Sequence, residues 1–255
     1  MLKGQPVLQR MGGPRLHPFD RGLPRTPKPR RGLSQVRRKR PQRLAPVSGI
    51  DTADGASGPE LALKEWSAVC AALADGAQTV LLRKGGLREP VFRPRASAFL
   101  LLPTTFHNAG GLLQPSAAEK YADSMEPEAN GSVLELRSAA ELTGCWTTAD
   151  PRVLPLTSEL HIWSEELLGT RLRWRPGQPL TVMELRCFNL AEPLRLEMLD
   201  GYKGCFSWVD VGDQLKGRPL PKMEPALRDR EFGKKQALLR MRLAELADVS
   251  ATGTG

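Results

Sequence analysis

The sequence predicts the α+β class: a single mixed domain of short strands with helices at both ends, behind a disordered basic leader. Three observations carry this. Short apolar runs alternate with helically spaced segments, but without the regular βαβ rhythm of a doubly wound sheet. Charge is unevenly divided: residues 1–60 hold 13 of the 37 Lys and Arg but only four of the 28 acids, so residues 61–255 carry 24 of each sign. Nine of the 22 prolines also fall in residues 1–60, where no apolar period is visible and too little surface exists to offset ordering entropy. The expected organisation is a leader over residues 1–55 and a domain over residues 56–250.

The elements follow in order. Ser57 to Glu60 fits a capping box, and Leu63, Trp66, Cys70 and Leu73 recur at helical spacing, which predicts a helix up to about Ala74. Gln78 to Arg83 reads as a short apolar strand, Arg83 to Pro90 as a turn, and Val91 to Pro103 as one or two strands with Ala98 to Leu102 buried. Ser116 to Tyr121 is a short helix and Ser132 to Arg137 a strand. Thr157 to Gly169 reads as a capped helix with Leu160, Trp163 and Leu167 on one face. A Pro-Gly turn then leads into a long strand in which Val182, Glu184 and Arg186 alternate with Met183, Leu185 and Cys187. Gly204 to Val211 is another strand. A terminal helix carries Phe232, Leu238 or Leu239, Leu243 and Leu246 near one face.

Composition narrows the class of protein. No apolar run approaches the ~20 residues that span a bilayer, and no apolar core with a cleavage site marks a signal peptide, so no membrane partner is expected. Cys70, Cys145, Cys187 and Cys205 form no CxxC pair and read as free thiols of a reducing, cytoplasmic compartment. The basic leader suits phosphate neutralisation on nucleic acid. An unstructured leader, or an upstream extension from a misassigned start codon, explains the same letters.

The stretch VLLRKGGLREPVF, Val80 to Phe92, is the most suggestive in the chain. A glycine pair after a strand exposes backbone N–H groups to an anion, and Arg83 and Lys84 add charge, which is the logic of a phosphate cradle. The Walker and Rossmann spacings are absent, and Gly85-Gly86 also fits a plain tight turn. GGLRE after a strand opens a pyrophosphohydrolase box, but Glu89 is followed by Pro90 and no second carboxylate arrives for magnesium. His107, after an apolar strand, is a candidate base, while His17 lies in the leader and His161 beside Trp163 reads as a packed or surface residue. Histidine and cysteine spacing marks no metal site and nothing names a cofactor. Glu135-Leu136-Arg137 and Glu184-Leu185-Arg186 have Arg where a metal-dependent nuclease needs Lys, and Arg does not serve as a base. No GxSxG elbow is present. Trp163, Arg171, Arg173, Trp174 and Arg175 suit either a nucleic-acid platform or a buried Trp pair with solvated arginines.

Several stretches together, ALKEWSAVCAALADG, LLRKGGL, FLLLPTTFHNAG, RPGQPLTVMELRCFNLAEP and GCFSWVDV, resemble the DUF1802 family of bacteria and archaea over roughly residues 60–215. The family's RKGG and PTxxH motifs match Arg83, Lys84, Gly85 and Gly86, then Pro103, Thr104 and His107, with Asn108 where the family has Gln. The leader has no counterpart. The resemblance gives weight to Arg83, Lys84, His107, Arg186 and Trp208 without assigning roles, since the family has no established activity. Three readings follow. The first is an uncharacterised domain that binds nucleic acid or a phosphorylated ligand through Arg83, Lys84, Gly85, Gly86, Arg186 and Trp208. The second is an enzyme using His107 with Glu65 or Glu89, and the third a non-catalytic interaction domain.

Overall fold

Two long strands organise the protein, and every other strand is placed by reference to them. In the computed structural model, residues 59–85, 91–105, 111–125, 132–246 and 248–252 are described. Strands β4 (Val133–Thr148) and β5 (Leu180–Glu197) run antiparallel with two register shifts, at Leu136/Ser138 and Leu142/Gly144. The second shift accommodates Gly144, where a Cβ would stand 2.2 Å from the Trp146 ring, so a side chain there would collide with it. Strand β4 has 16 residues, which corrects the expectation of short strands, while β5, with 18, is the long strand that the alternation predicts.

Four more strands complete the path: β1 (Leu61–Trp66), β2 (Val80–Lys84), β3 (Ala98–Thr104) and β6 (Trp208–Asp210), in the order β2-β5-β4-β3-β1-β6. Strand β7 (Met223–Pro225) adds to β5, and β8 (Ser250–Ala251) to β4. Only the β1–β3 pair is parallel; the other pairs are antiparallel. Helices α1 (Ser67–Ala74), α2 (Pro115–Lys120), α3 (Val153–Thr157), α4 (Glu165–Arg173), α5 (Gly212–Leu215) and α6 (Asp229–Ala244) pack around this sheet. The α+β class holds, and β2, β3, α2 and α6 match the sequence expectation.

The first element does not. Residues 61–66 form a strand, and the helix begins only at Ser67. Side-chain alternation on β3 divides the core in two: Phe99 and Leu101 join the cluster that holds α1, α4 and α6, while Leu100 and Leu102 join Leu136, Leu196, Tyr202 and Val209 on the other side. Nor does the terminal helix end the described chain, because β8 follows it.

The sheet is coiled. Strands β2 and β1 stand four places apart in its order, about 19 Å if the sheet were flat at ~4.8 Å per strand. Yet Arg83 Nη2 on β2 donates to the Lys64 carbonyl on β1 at 2.8 Å. One side chain bridges that gap only because the sheet twists far enough to bring its members face to face.

Candidate functional site: a basic cluster at the ends of β1, β2 and β3

The coil brings together side chains that the sheet order keeps apart. Strands β1 and β3 run in parallel, so Trp66 and Thr104 finish side by side, and the chain turns straight from Trp66 into α1. Thr104 Oγ1 donates to the Glu65 carbonyl at 3.1 Å, and Ser67 Oγ to the Thr104 carbonyl at 3.1 Å. Helix α1 has no side-chain cap and no acid in its first turn, and the carboxylate of Glu65, just before its N-cap Trp66, is the acid that stands at its positive end.

Glu65 is the acid at the centre. Its side chain is 1% exposed, its Oε1 accepts the Trp66 N–H at 2.9 Å, and its Oε2 stands 3.1 Å from Arg83 Nη1. That last pair is close enough for an ion pair but misaligned for a hydrogen bond, since Glu65 Oε2 and Arg83 Nε both lack hydrogen-bond partners. Phe92 lies 5.3 Å from the Arg83 guanidinium and stacks on Trp208, whose ring also meets the Phe99 edge.

Arg171 enters from α4. Ser164 caps that helix by accepting the Leu167 N–H at 3.2 Å, Glu165 and Glu166 occupy its first turn, and Arg171 and Arg173 its last, which suits the helix dipole at both ends. The Arg171 guanidinium sits between the rings of Trp163 at 5.3 Å and Trp66 at 5.6 Å, and its Nη1 donates to the Leu82 carbonyl at 3.1 Å. Desolvation lowers the Arg171 pKa; Glu65 opposes this and the Arg83 charge adds to it. Lys84 Nζ donates to the Leu172 carbonyl at 2.9 Å, and desolvation lowers its pKa too. Helix α4 thereby also covers the free edge of β2.

His161 and Trp163 line the same cluster on a segment that two glutamines hold. Gln78 accepts the Ile162 N–H at 3.1 Å, and Gln114 Nε2 donates to the carbonyls of Ser158 and His161 at 3.1 and 3.0 Å. His161 is buried, and burial, then the nearby Arg171 charge, push its pKa down to about 4, so it is neutral near pH 7. Both of its ring nitrogens and Trp163 Nε1 lack hydrogen-bond partners. Five buried polar atoms without partners therefore gather around Glu65, Arg83, His161 and Trp163. Native proteins leave few such atoms, and each calls for a reason.

The residues singled out from sequence divide accordingly. Arg83, Lys84 and Gly85 stand at the cluster; Trp208 joins it through Phe92; Gly86, His107 and Glu89 lie outside the described residues, as does the leader. Arg186 is elsewhere: the β5 residue facing Arg83 is Thr181, which puts Arg186 five residues along the strand, roughly 17 Å away. It pairs with Asp229 at the start of α6. Sequence reasoning left Trp163 and Arg171 as either a nucleic-acid platform or a buried Trp pair with solvated arginines, and missed that Arg171 lies against both Trp66 and Trp163. Their spacing of Trp66 and Trp163 from Arg171 in the chain gave no signal of this. Among the described residues, no group of His, Cys, Asp and Glu is arranged to hold a metal ion, and no helix is long and apolar enough to cross a membrane. The four cysteines are unbridged, three of them buried, and burial raises the Cys70 pKa, with Glu65 adding to the effect.

A coiled α+β domain with a cation-rich cluster at its strand ends is the class that fold and geometry define. The family described as a domain of unknown function (DUF1802) matches residues 62–237, more than half of the chain, and the protein belongs to that family. No curated protein matches. Among solved structures, the ASCH protein from Zymomonas mobilis is similar at 13% identity over 76% of this chain and 97% of its own, with a TM-score of 0.31. A single-substitution variant of it gives 16% identity over 70% and 96%, with a TM-score of 0.32. TM-scores this low do not establish a common fold.

Proposed function

We propose that the domain binds a phosphorylated ligand, nucleic acid among them, at the junction of β1, β2 and α1. One observation carries the reading: two arginines, Arg83 and Arg171, share a single acid, Glu65, among the described residues, and Lys84, next along β2, donates to a backbone carbonyl and not to an acid. A desolvated positive excess costs several kcal/mol per uncompensated ion, on the order of the figures for buried charges, unless an anion offsets it. A phosphate does so. In this reading Lys84 and Arg83 contact the phosphate, the Gly85-Gly86 backbone shapes the approach, and His107 is a further candidate donor.

The enzymatic alternative is weaker in what it can draw on. Glu65 is already engaged by Arg83 and the Trp66 N–H, which leaves it poorly placed to take a proton. The interaction-domain alternative gains from the burial of Trp66, Trp163 and Trp208, but it leaves the charge excess without a purpose.

The test is a salt-titrated binding assay with DNA, RNA and inorganic phosphate, comparing the full chain with Lys84→Ala. Loss of one phosphate contact is expected to reduce affinity and the magnitude of the log–log salt slope by about one, at an unchanged melting temperature. Equal affinity and slope in a folded Lys84→Ala chain would remove Lys84 from the site and overturn the reading.

A further inference from the structure

The chain around the cation cluster carries charge of one sign. Residues 80–85, 91–97 and 168–178 hold seven Lys and Arg and no Asp or Glu, in a domain with 24 of each sign over residues 61–255. These three segments are contiguous in space. Lys84 Nζ donates to the Leu172 carbonyl at 2.9 Å and Arg171 Nη1 to the Leu82 carbonyl at 3.1 Å, which joins β2 to α4. Thr181 stands opposite Arg83 in the sheet, and its Oγ1 donates to the Phe92 carbonyl at 2.7 Å. Phe92 also lies against the Arg83 guanidinium, so segment 91–97 meets the same strand end.

Acids of this neighbourhood do not cancel the excess. Glu65 is buried and already shared by two arginines. Glu165 and Glu166 occupy the first turn of α4, roughly 10 Å along the axis from Arg173. Asp150 is held by Arg152. Several of the cations, in contrast, reach the surface. Burial alternates along segment 91–97: Phe92 and Pro94 are buried, Arg93 and Arg95 exposed. Arg93 precedes a proline, which keeps the backbone extended there. Arg173 is exposed in the last turn of α4, and the partner of its Nη2, Thr170 Oγ1 at 3.0 Å, is neutral. Trp174 follows it with 44% of its surface exposed, and the Arg175 guanidinium lies 4.8 Å from the ring. Arg95 is three residues beyond Phe92, up to about 10 Å of chain, so one phosphate does not meet all of these cations. A row of phosphates does, and the exposed indole suits a ligand that carries aromatic rings between its charges.

We propose that the ligand of the phosphate site is a single-stranded nucleic acid, whose backbone continues from Lys84 along Arg93, Arg95 and Arg173 and one of whose bases stacks on Trp174. The inference rests on the reading that Lys84 meets a phosphate. A duplex keeps its bases paired and stacked inside, and has none to offer Trp174 without extruding it. An acidic peptide matches the charge and not the indole.

The experiment uses the full chain throughout, so the 13 Lys and Arg of residues 1–60 contribute equally to every comparison. The probes are a fluorescent 12-nucleotide single strand, its duplex, a 12-residue polyglutamate and inorganic phosphate. Arg95→Gln and Arg173→Gln are each expected to weaken the single strand and to lower the magnitude of its log–log salt slope by about 0.7. Neither should change the affinity for inorganic phosphate or the melting temperature. Trp174→Ala should weaken the single strand about tenfold and leave the duplex as it was. Arg137→Gln serves as the control: this exposed arginine lies ten residues along β4 from Thr147, the partner of Thr181, roughly 33 Å away. It should change no affinity. Single-strand binding untouched by the Arg95, Arg173 and Trp174 substitutions overturns the inference. So does an equal loss in Arg137→Gln, or binding of duplex or polyglutamate with the same dependence on these residues. Lys84→Ala separates the two readings. If it weakens inorganic phosphate while the other substitutions leave the single strand unchanged, the phosphate site stands and the strand path falls. If it changes neither probe while Arg95→Gln, Arg173→Gln and Trp174→Ala weaken the single strand, the strand path stands and the phosphate site falls.

Discussion

Two buried glutamates face two arginines in this fold, and they do different things. Glu184 on β5 accepts from Thr143 Oγ1 at 2.8 Å, Gln236 Nε2 at 2.8 Å and Arg240 Nη2 at 2.7 Å. One acid meets one cation with two neutral donors beside them, and the network ties α6 to the sheet. Glu65 on β1 meets Arg83 at a poor angle, with the Arg171 charge close by and unpartnered polar atoms around it. A satisfied, balanced network is architecture; an unsatisfied, unbalanced one is what the proposed phosphate site rests on.

Breaking the first network gives the largest effect. Arg240→Met leaves the Glu184 carboxylate buried without a cation, and a loss of about 3–4 kcal/mol is expected in urea unfolding. The second effect belongs to His161 and depends on pH. Its folded pKa, about 4, lies below the ordinary value of 6.5, so the unfolded chain binds the proton more readily between these values. Stability from this residue is therefore complete above pH 6.5 and is lost as pH falls toward 4, by at most about 3 kcal/mol. His161→Gln should flatten the stability profile in that window, and an unchanged profile would place the imidazole in solvent.

Glu65→Gln sharpens the contrast more directly. It removes the one acid that Arg83 and Arg171 share and should cost about 2 kcal/mol in chloride. Phosphate should then restore stability to Glu65→Gln beyond what it gives the parent chain, and should give Arg240→Met no such extra gain. Equal phosphate responses in thermal melts would erase the distinction between the clusters. The smallest effect is expected at Arg186. Its partner Asp229 is exposed, so Arg186→Ala should cost less than about 1 kcal/mol and leave phosphate and oligonucleotide binding within error.

Much of this arrangement could be read from the chain, and what could not has definite causes. Strand β2 with its terminal Arg83 and Lys84, strand β3 and helix α6 were legible because local pattern and tertiary need agree there. Strand β1 was not. Leu63 and Trp66 lie on the strand and Cys70 and Leu73 on the helix, yet their spacing is helical throughout, so the period ran across a boundary. Strand β4 was read only to Arg137, because Ala139, Ala140 and Gly144 have little strand preference of their own; pairing with β5 holds them extended. Pro193 is accommodated inside β5 where the β4 register slips between Leu136 and Ser138. The convergence of Glu65, Arg83 and Arg171 was hidden for a different reason. It depends on how far the sheet coils, which no local pattern encodes.

The pairing of β1 with β6 sets an order of events during synthesis. Leu61 to Leu63 are held by Trp208 to Asp210, so the strand that carries Glu65 gains its second neighbour only after most of the domain has left the ribosome. Until then β1 offers an open edge, and the arginine from α4 has emerged ahead of the strand that completes the sheet beside it. Closure of such distant partners is slow compared with local folding. The cluster around Glu65 is thus among the last features to form, because its strand is closed on both sides only once the far strand has arrived.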